Sequence, residues 1–258
     1  SQVSDAQSNT TGGSNAGDSF TGTDANDNTL FGYNAGTAIT SADSNVALGK
    51  DALQSATTGS YNTVVGQSAL RDLTTGTNNS IFGINAALTA TGSNNVAFGA
   101  NTLRGASNNT GSNNVAVGTG ALNASTTGSN NAGIGHEALA ANTTGANNVA
   151  VGSSALDVNT TGEDNTAVGY LSMSANTTGG YNTAIGDTSL DANTTGLNNV
   201  ALGQNALGAN TTASDNVAVG RSALGVNSTG TRNTAIGRKA LQMGNANDNT
   251  AVGYFALK

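Results

Sequence analysis

Fourteen asparagines, each followed four residues later by a glycine, recur along this 258-residue chain at a nearly constant interval. The asparagines are Asn28, Asn45, Asn62, Asn79, Asn95, Asn114, Asn131, Asn148, Asn165, Asn182, Asn199, Asn216, Asn233 and Asn249. The glycines are Gly32, Gly49, Gly66, Gly83, Gly99, Gly118, Gly135, Gly152, Gly169, Gly186, Gly203, Gly220, Gly237 and Gly253. Successive glycines lie 17 residues apart, except for one interval of 19 (Gly99 to Gly118) and two of 16 (Gly83 to Gly99 and Gly237 to Gly253). A short fixed period means one small unit repeated along an axis, each copy packing on the next.

The unit reads N-[V/T]-A-[V/I/L]-G-x-x-A-L-x-x-N-T-T-G-x-x, and residues 148–164 are a clean copy. The longest unit gains its extra residues in R-G-A-S-N-N-T-G, outside the N-x-x-x-G core. Length varies in a turn and not in the core, as expected when the core is a strand held in register. Two apolar stretches are visible per unit. The first is N-V-A-V-G, as at 114–118; the second runs through Leu122, Ala124 and Thr126 with a period of two, which predicts a second strand. Gly118 and Gly128 supply permissive backbone at the corners between them.

Seventeen residues with two short strands make one coil of a narrow parallel β-solenoid, or β-roll, of about 14 coils with strands about 4.8 Å apart. Identical positions then lie above one another. The asparagines form an amide ladder, and so do the threonines of the N-T-T turn, such as Thr143, Thr160, Thr177, Thr194 and Thr211. The composition agrees. Proline is absent, so every strand N–H is free for the ladder, and only 9% of residues are charged, so few like charges stack. The repeat domain spans residues 28–258. Residues 1–27 are read as a flexible segment or a degenerate capping coil, in which T-T-G-G-S-N at 10–15 matches the N-T-T-G turn and places Asn15 in register.

The strand N-V-A-V-G is apolar at consecutive positions, where a strand wet on one face alternates. One face is expected to line the coil interior and the other to meet a neighbouring chain. The alanines at 116, 150, 167, 184, 201, 218 and 235 leave room for close approach.

These residues resemble the head repeats of trimeric autotransporter adhesins of the YadA type, and related repeats of bacterial and phage fibre proteins. The resemblance covers residues 28–258. It implies a left-handed parallel β-roll, a trimer, and display outside the cell as an adhesive or fibrous element. The family's head repeat is commonly shorter, so the N-T-T-G turn is the departure. The chain also carries no heptad stalk and no membrane-anchor strands.

Charge is segregated. Asp5, Asp18, Asp24, Asp27 and Asp43 lie before residue 45 with no base, whereas Arg221, Arg232, Arg238, Lys239 and Lys258 follow residue 220 with one acid, Asp248. Open, complementary ends suit head-to-tail stacking, and a contact that does not close gives a filament. The net charge of −7 argues against nucleic acid as a partner. No stretch is apolar enough to predict a membrane span. Residues 1–18 are polar and carry no signal-peptide pattern.

Catalytic chemistry is not expected. His136 is the single histidine and cysteine is absent, so neither a triad nor a thiolate metal site can be assembled within one chain. Acids do not recur at one fixed repeat position throughout the chain, although Asp157 and Asp191 share one. Asp24, Asp27, Asp43, Asp164, Asp215 and Asp248 are turn acids with the chemistry for calcium, but the calcium-binding G-G-x-G-x-D repeat is missing, and no metal or cofactor is expected. The expected function is a non-enzymatic, extracellular fibre or filament subunit built by coil stacking, self-associating and adhesive toward cell-surface or matrix receptors. One alternative is a receptor-binding adhesin head or phage tail-fibre segment. A second is an ice-binding solenoid using the Thr ladders.

Overall fold

A computed structural model describes residues 3–4, 7–20, 24–105, 109–242 and 244–257. Asp5 and Lys258, and residues 106–108 of the long turn, lie outside the described residues. The protein is all-β, a parallel β-solenoid of about 14 turns with a period near 17 residues. Among the described residues there is no helix. The chain divides into two compact units, Ser1–Asn130 and Asn131–Lys258.

Unit 1 contains β1 (Val3–Ser4), β2 (Thr10–Gly12), β3 (Thr29–Phe31), β4 (Val46–Leu48), β5 (Thr63–Val65), β6 (Ser80–Phe82), β7 (Val96–Phe98) and β8 (Val115–Val117). From β2 onward each strand pairs in parallel with the next, and homologous residues face each other: Thr63 pairs with Ser80, Val64 with Ile81, Val65 with Phe82. Unit 2 contains β9 (Ala132–Ile134), β10 (Val149–Val151), β11 (Thr166–Val168), β12 (Thr183–Ile185), β13 (Val200–Leu202), β14 (Val217–Val219), β15 (Thr234–Ile236) and β16 (Thr250–Val252), all parallel and in the same register.

Each coil carries one three-residue strand, which corrects the expected two. The stretch through Leu122, Ala124 and Thr126 is a run of turns. Its apparent alternation has another cause. Gly152, Ser154 and Leu156 all have positive φ (138°, 55° and 52°), and every coil repeats the pattern. Alternate N–H groups then point to opposite neighbours: Ser154 donates to His136 O in the coil before, Leu156 to Ser172 O in the coil after. A leucine at positive φ costs about 1–3 kcal/mol. Leu156 offsets this by complete burial, a gain of about 1.5–3 kcal/mol.

The core is the middle strand residue plus the alanine and leucine that follow the glycine. Ala150, Ala155 and Leu156 are all fully buried. A large side chain lost at one core position can be offset by another in the same coil. Where Gly36 replaces the usual leucine, Leu30 and Ile39 fill the space: an added Cβ would lie 2.8 Å from Leu30 Cδ1 and 2.9 Å from Ile39 Cδ1.

Two corrections concern the N-terminal segment. The first coil begins at Asn9, not at Asn28 or Asn15. Thr10, Thr11 and Gly12 form β2 opposite Thr29, Leu30 and Phe31, and Gly13 (φ 115°) is the corner glycine four residues after Asn9. The same N-T-T-G sequence is strand here and turn elsewhere, because here Asn9 bonds to the ladder residue Asn28 and Thr10–Gly12 pairs with the strand of the next coil. Asn15 instead follows the corner and donates to Asn34 Oδ1 at 2.9 Å. The edge of β2 is not open either. It carries β1, antiparallel, with Val3 opposite Thr11, which shields an edge that would otherwise pair with another chain.

Candidate functional site

All the ladder asparagines except Asn249 are buried, at 2% exposure or less. In unit 1 the ladder runs from Asn9 to Asn114, and in unit 2 from Asn131 to Asn249. Asn148 shows the design. Its backbone N–H and its Nδ2 both donate to Asn131 Oδ1, at 2.9 and 3.2 Å. Nδ2 also donates to Gly162 O across the coil, at 2.8 Å. Its own Oδ1 accepts from Asn165 N and Nδ2, at 3.0 and 3.1 Å. One side chain therefore joins three coils and closes its own, which no apolar residue can do. The corner glycines that follow have φ between +115° and +143°.

A second amide ladder exists in unit 2, formed by the asparagines of the N-T-T turns. Asn159 donates to Asn142 Oδ1 at 2.8 Å and to Gly162 O at 3.0 Å. Asn176, Asn193 and Asn210 repeat this arrangement. In unit 1 the coils cornered at Gly32, Gly49, Gly66 and Gly83 hold Ile39, Ala56, Leu73 and Ala90 at the same position, all buried, and the coil of Gly118 holds the buried Ser125. The regular N-T-T period was the visible signal for this ladder. The inner threonines tie coils together as well: Thr143 Oγ1 donates to Thr160 O at 2.9 Å, and Thr160 Oγ1 to Thr177 O at 3.0 Å. These hydroxyls are directed into the stack and not arrayed on a flat outer strand.

The residue before each ladder asparagine also has positive φ, from Asp27 to Asp248. Ten of these fourteen are Asn or Asp, the residues that tolerate a left-handed backbone best. Tyr61 and Tyr181 occupy the same position and are exposed.

The strands' outer face is apolar. In unit 2 the third strand position forms the column Ile134, Val151, Val168, Ile185, Leu202, Val219, Ile236 and Val252. Ile134, Ile185 and Ile236 are 40–43% exposed. The first position holds valine (Val149, Val200, Val217) or threonine (Thr166, Thr183, Thr234, Thr250), with Ala132 in the first strand of the unit. In unit 1 the corresponding column is Phe31, Leu48, Val65, Phe82, Phe98 and Val117, with Phe82 and Phe98 stacked at 4.7 Å between ring centroids.

Titratable groups are scattered. His136 Nδ1 lies 3.7 Å from Glu137 Oε2, both exposed. Arg232 forms a two-bond ion pair with Asp248, which lowers the Asp248 pKa. Asp43 Oδ1 accepts from Asn26 N and Nδ2. Among the described residues no three His, Cys, Asp or Glu side chains come together as a metal site, and no ligand-sized pocket opens.

Asp157 and Asp191 sit two coils apart on either side of Ser174, each with Oδ1 buried and without a partner. Burial pushes both carboxyls above the ordinary carboxylate range, with Glu137 and Asp187 respectively adding repulsion and backbone amides opposing. A raised folded pKa means that the native state holds the proton more tightly than the unfolded chain. That stabilisation is present at low pH and is lost as pH rises through the folded value. Replacing both acids by serine, the residue the intervening coil uses, is therefore expected to raise the melting temperature at pH 7 by about 1–2 °C, both groups being partly solvated. The gain shrinks as pH falls toward about 4. Thermal melts of the D157S/D191S variant at the two pH values check this; a loss of stability at pH 7 would refute it.

No protein-family model, curated protein or solved structure matches this chain. Fold and ladders together define its class as a parallel β-solenoid repeat protein.

Proposed function

We propose that this chain is a non-enzymatic structural subunit of an extracellular fibre, built from copies of itself and adhesive on its outer surface. The exposed apolar face of the strands carries the reading. Eight aliphatic side chains in one straight column are unusual on a surface that stays wet, and contiguous apolar patches of this kind mark interaction sites. Covering the column with other copies removes it from water at about 25 cal/mol per Å². The resemblance to YadA-type head repeats supports a trimer on the cell surface with its strand faces turned inward. The ladders supply stiffness, because each asparagine ties its coil to both neighbours. No membrane-spanning helix is needed for this role, and among the described residues no helix is long and apolar enough to cross a membrane.

Analytical ultracentrifugation tests the proposal. The wild-type chain is expected to sediment as a multimer. An Ile185→Glu/Val219→Glu variant, altered only on the outer face, is expected to sediment as a folded monomer with an unchanged circular-dichroism spectrum. A wild-type chain that stays monomeric at high concentration would sink the proposal. An adhesin head and a fibre subunit are separated by electron micrographs: the former gives discrete trimers, the latter continuous filaments. Thermal hysteresis is expected to be absent, since the inner Thr hydroxyls are committed to the stack.

A further inference from the structure

The N-T-T turns of unit 2 have a second reading. Asn142, Asn159, Asn176, Asn193, Asn210 and Asn227 are each followed two residues later by threonine. This is the acceptor signature of N-linked glycosylation, normally taken to mark a surface loop in a secreted protein. Here all six asparagines are fully buried. Nδ2, the atom that would carry the glycan, points into the stack. In Asn176 it donates to Asn159 Oδ1 and to Gly179 O, both at 2.9 Å, so both amide hydrogens are engaged. Asn193 and Asn210 make the same two bonds. Asn227 donates to Gly230 O at 2.9 Å.

Glycan transfer requires a lipid-linked diphosphate sugar. The Nδ2–C1 bond forms, the C1–O bond to the diphosphate breaks, and one Nδ2 proton passes to a base. A ladder nitrogen has no open side for that attack. Once glycosylated it keeps one hydrogen where the stack uses two, and the sugar occupies the space of the next coil. We propose that in unit 2 N-glycosylation and closure of the stack exclude each other. Folding shields the six asparagines, and a glycan placed on any of them beforehand blocks the coil that contains it.

Asn78 of unit 1 provides a contrast in the same molecule. Asn78-Asn79-Ser80 is also an acceptor sequence, but Asn78 is exposed, in a turn with φ 59°, and donates to Thr77 Oγ1 at 3.2 Å. It is open to the enzyme while the unit 2 asparagines are closed. The threonines that complete the six sequences, such as Thr144 and Thr161, are exposed and can be changed without touching the ladder.

The test has two arms. Full-length folded protein, made in a host without the pathway, is incubated with an oligosaccharyltransferase and its lipid-linked donor, and glycopeptides are mapped by mass spectrometry. Modification at Asn78 and at none of the six is expected. A glycan on any of the six, or none on Asn78, overturns the proposal. In the second arm the chain is secreted from a glycosylating host beside a variant with all six of those threonines changed to alanine. The variant is expected to give at least two-fold more folded, soluble protein. Equal yields overturn the claim that early glycosylation blocks folding.

Discussion

Gly152→Ala is expected to unfold the coils around it, with a cost of about 5 kcal/mol, beyond the range of ordinary single substitutions. Two effects combine. The φ of 138° at Gly152 lies where residues with a Cβ are strained, a penalty of about 1–3 kcal/mol. An added Cβ would also run into the Gly169 carbonyl, 2.7 Å from its carbon and closer to its oxygen, and would lie 3.3 Å from Tyr170 N. These are backbone atoms of the next coil. They cannot swing aside as a side chain can, and Gly169 is itself held against Gly186 in the same way. Relief requires the coils to separate, which breaks the strand ladder between β10 and β11. Circular-dichroism melting is expected to show a drop of about 10–20 °C or loss of the transition. Hydrogen exchange is expected to quicken first in residues 146–175. Ser153→Ala, one residue on, is the control and is expected to be nearly neutral. A drop of less than about 3 °C for Gly152→Ala would mean that the corner does not depend on glycine.

Asn148→Leu is expected to cost about 4 kcal/mol. The side chain's four hydrogen bonds disappear. Asn165 is left with its backbone N–H and one amide hydrogen unpaired and buried, and each orphan costs about 1–3 kcal/mol. Leucine is also branched where the amide was flat, which adds overpacking. Asn148→Asp separates the two halves of this argument. Aspartate keeps the acceptor for Asn165 but loses both donors, and its charge faces Asn131 Oδ1 and Gly162 O. It is expected to destabilise strongly at pH 7 and to recover part of the loss in acid, where a protonated carboxyl regains one donor. Melting curves of the two variants at pH 7 and pH 4 read this out. If Asn148→Leu melted like the parent, the amide ladder would not be what holds the coils.

Much of this architecture was legible before any coordinates, and the reason is the stacking itself. When parallel strands lie in register, every level presents the same chemistry to the level above. A residue that bonds to its own copy, such as Asn148 to Asn131 and Asn165, must therefore recur at the period of the coil. The asparagine and glycine columns were visible for that reason. The second ladder through Asn142 and Asn159 carried the same signal, but its N-T-T sequence also reads as an ordinary polar turn. The first coil was misplaced because T-T-G occurs both as the strand at 10–12 and as the turn at 143–145. Only the bond from Asn28 to Asn9 shows which register applies. The positive φ before each ladder asparagine was announced by the excess of Asn and Asp there, with Tyr61, Tyr181, Ser44 and Arg232 as the exceptions that obscured it.

The amino-acid pattern alone was enough for a parallel all-β stack, its period, its main ladder and its glycine corners, since periodic contacts leave a periodic imprint. It did not distinguish the strand from the turn run within one coil. Leu156 and its equivalents alternate with small residues as a strand would, yet they stand in left-handed turns. That choice is made where the coil closes on itself. The turn at Gly152, Ser154 and Leu156 brings the leucine over the alanines and sends alternate N–H groups to the coils on either side. A continuous second strand would leave that interior unfilled.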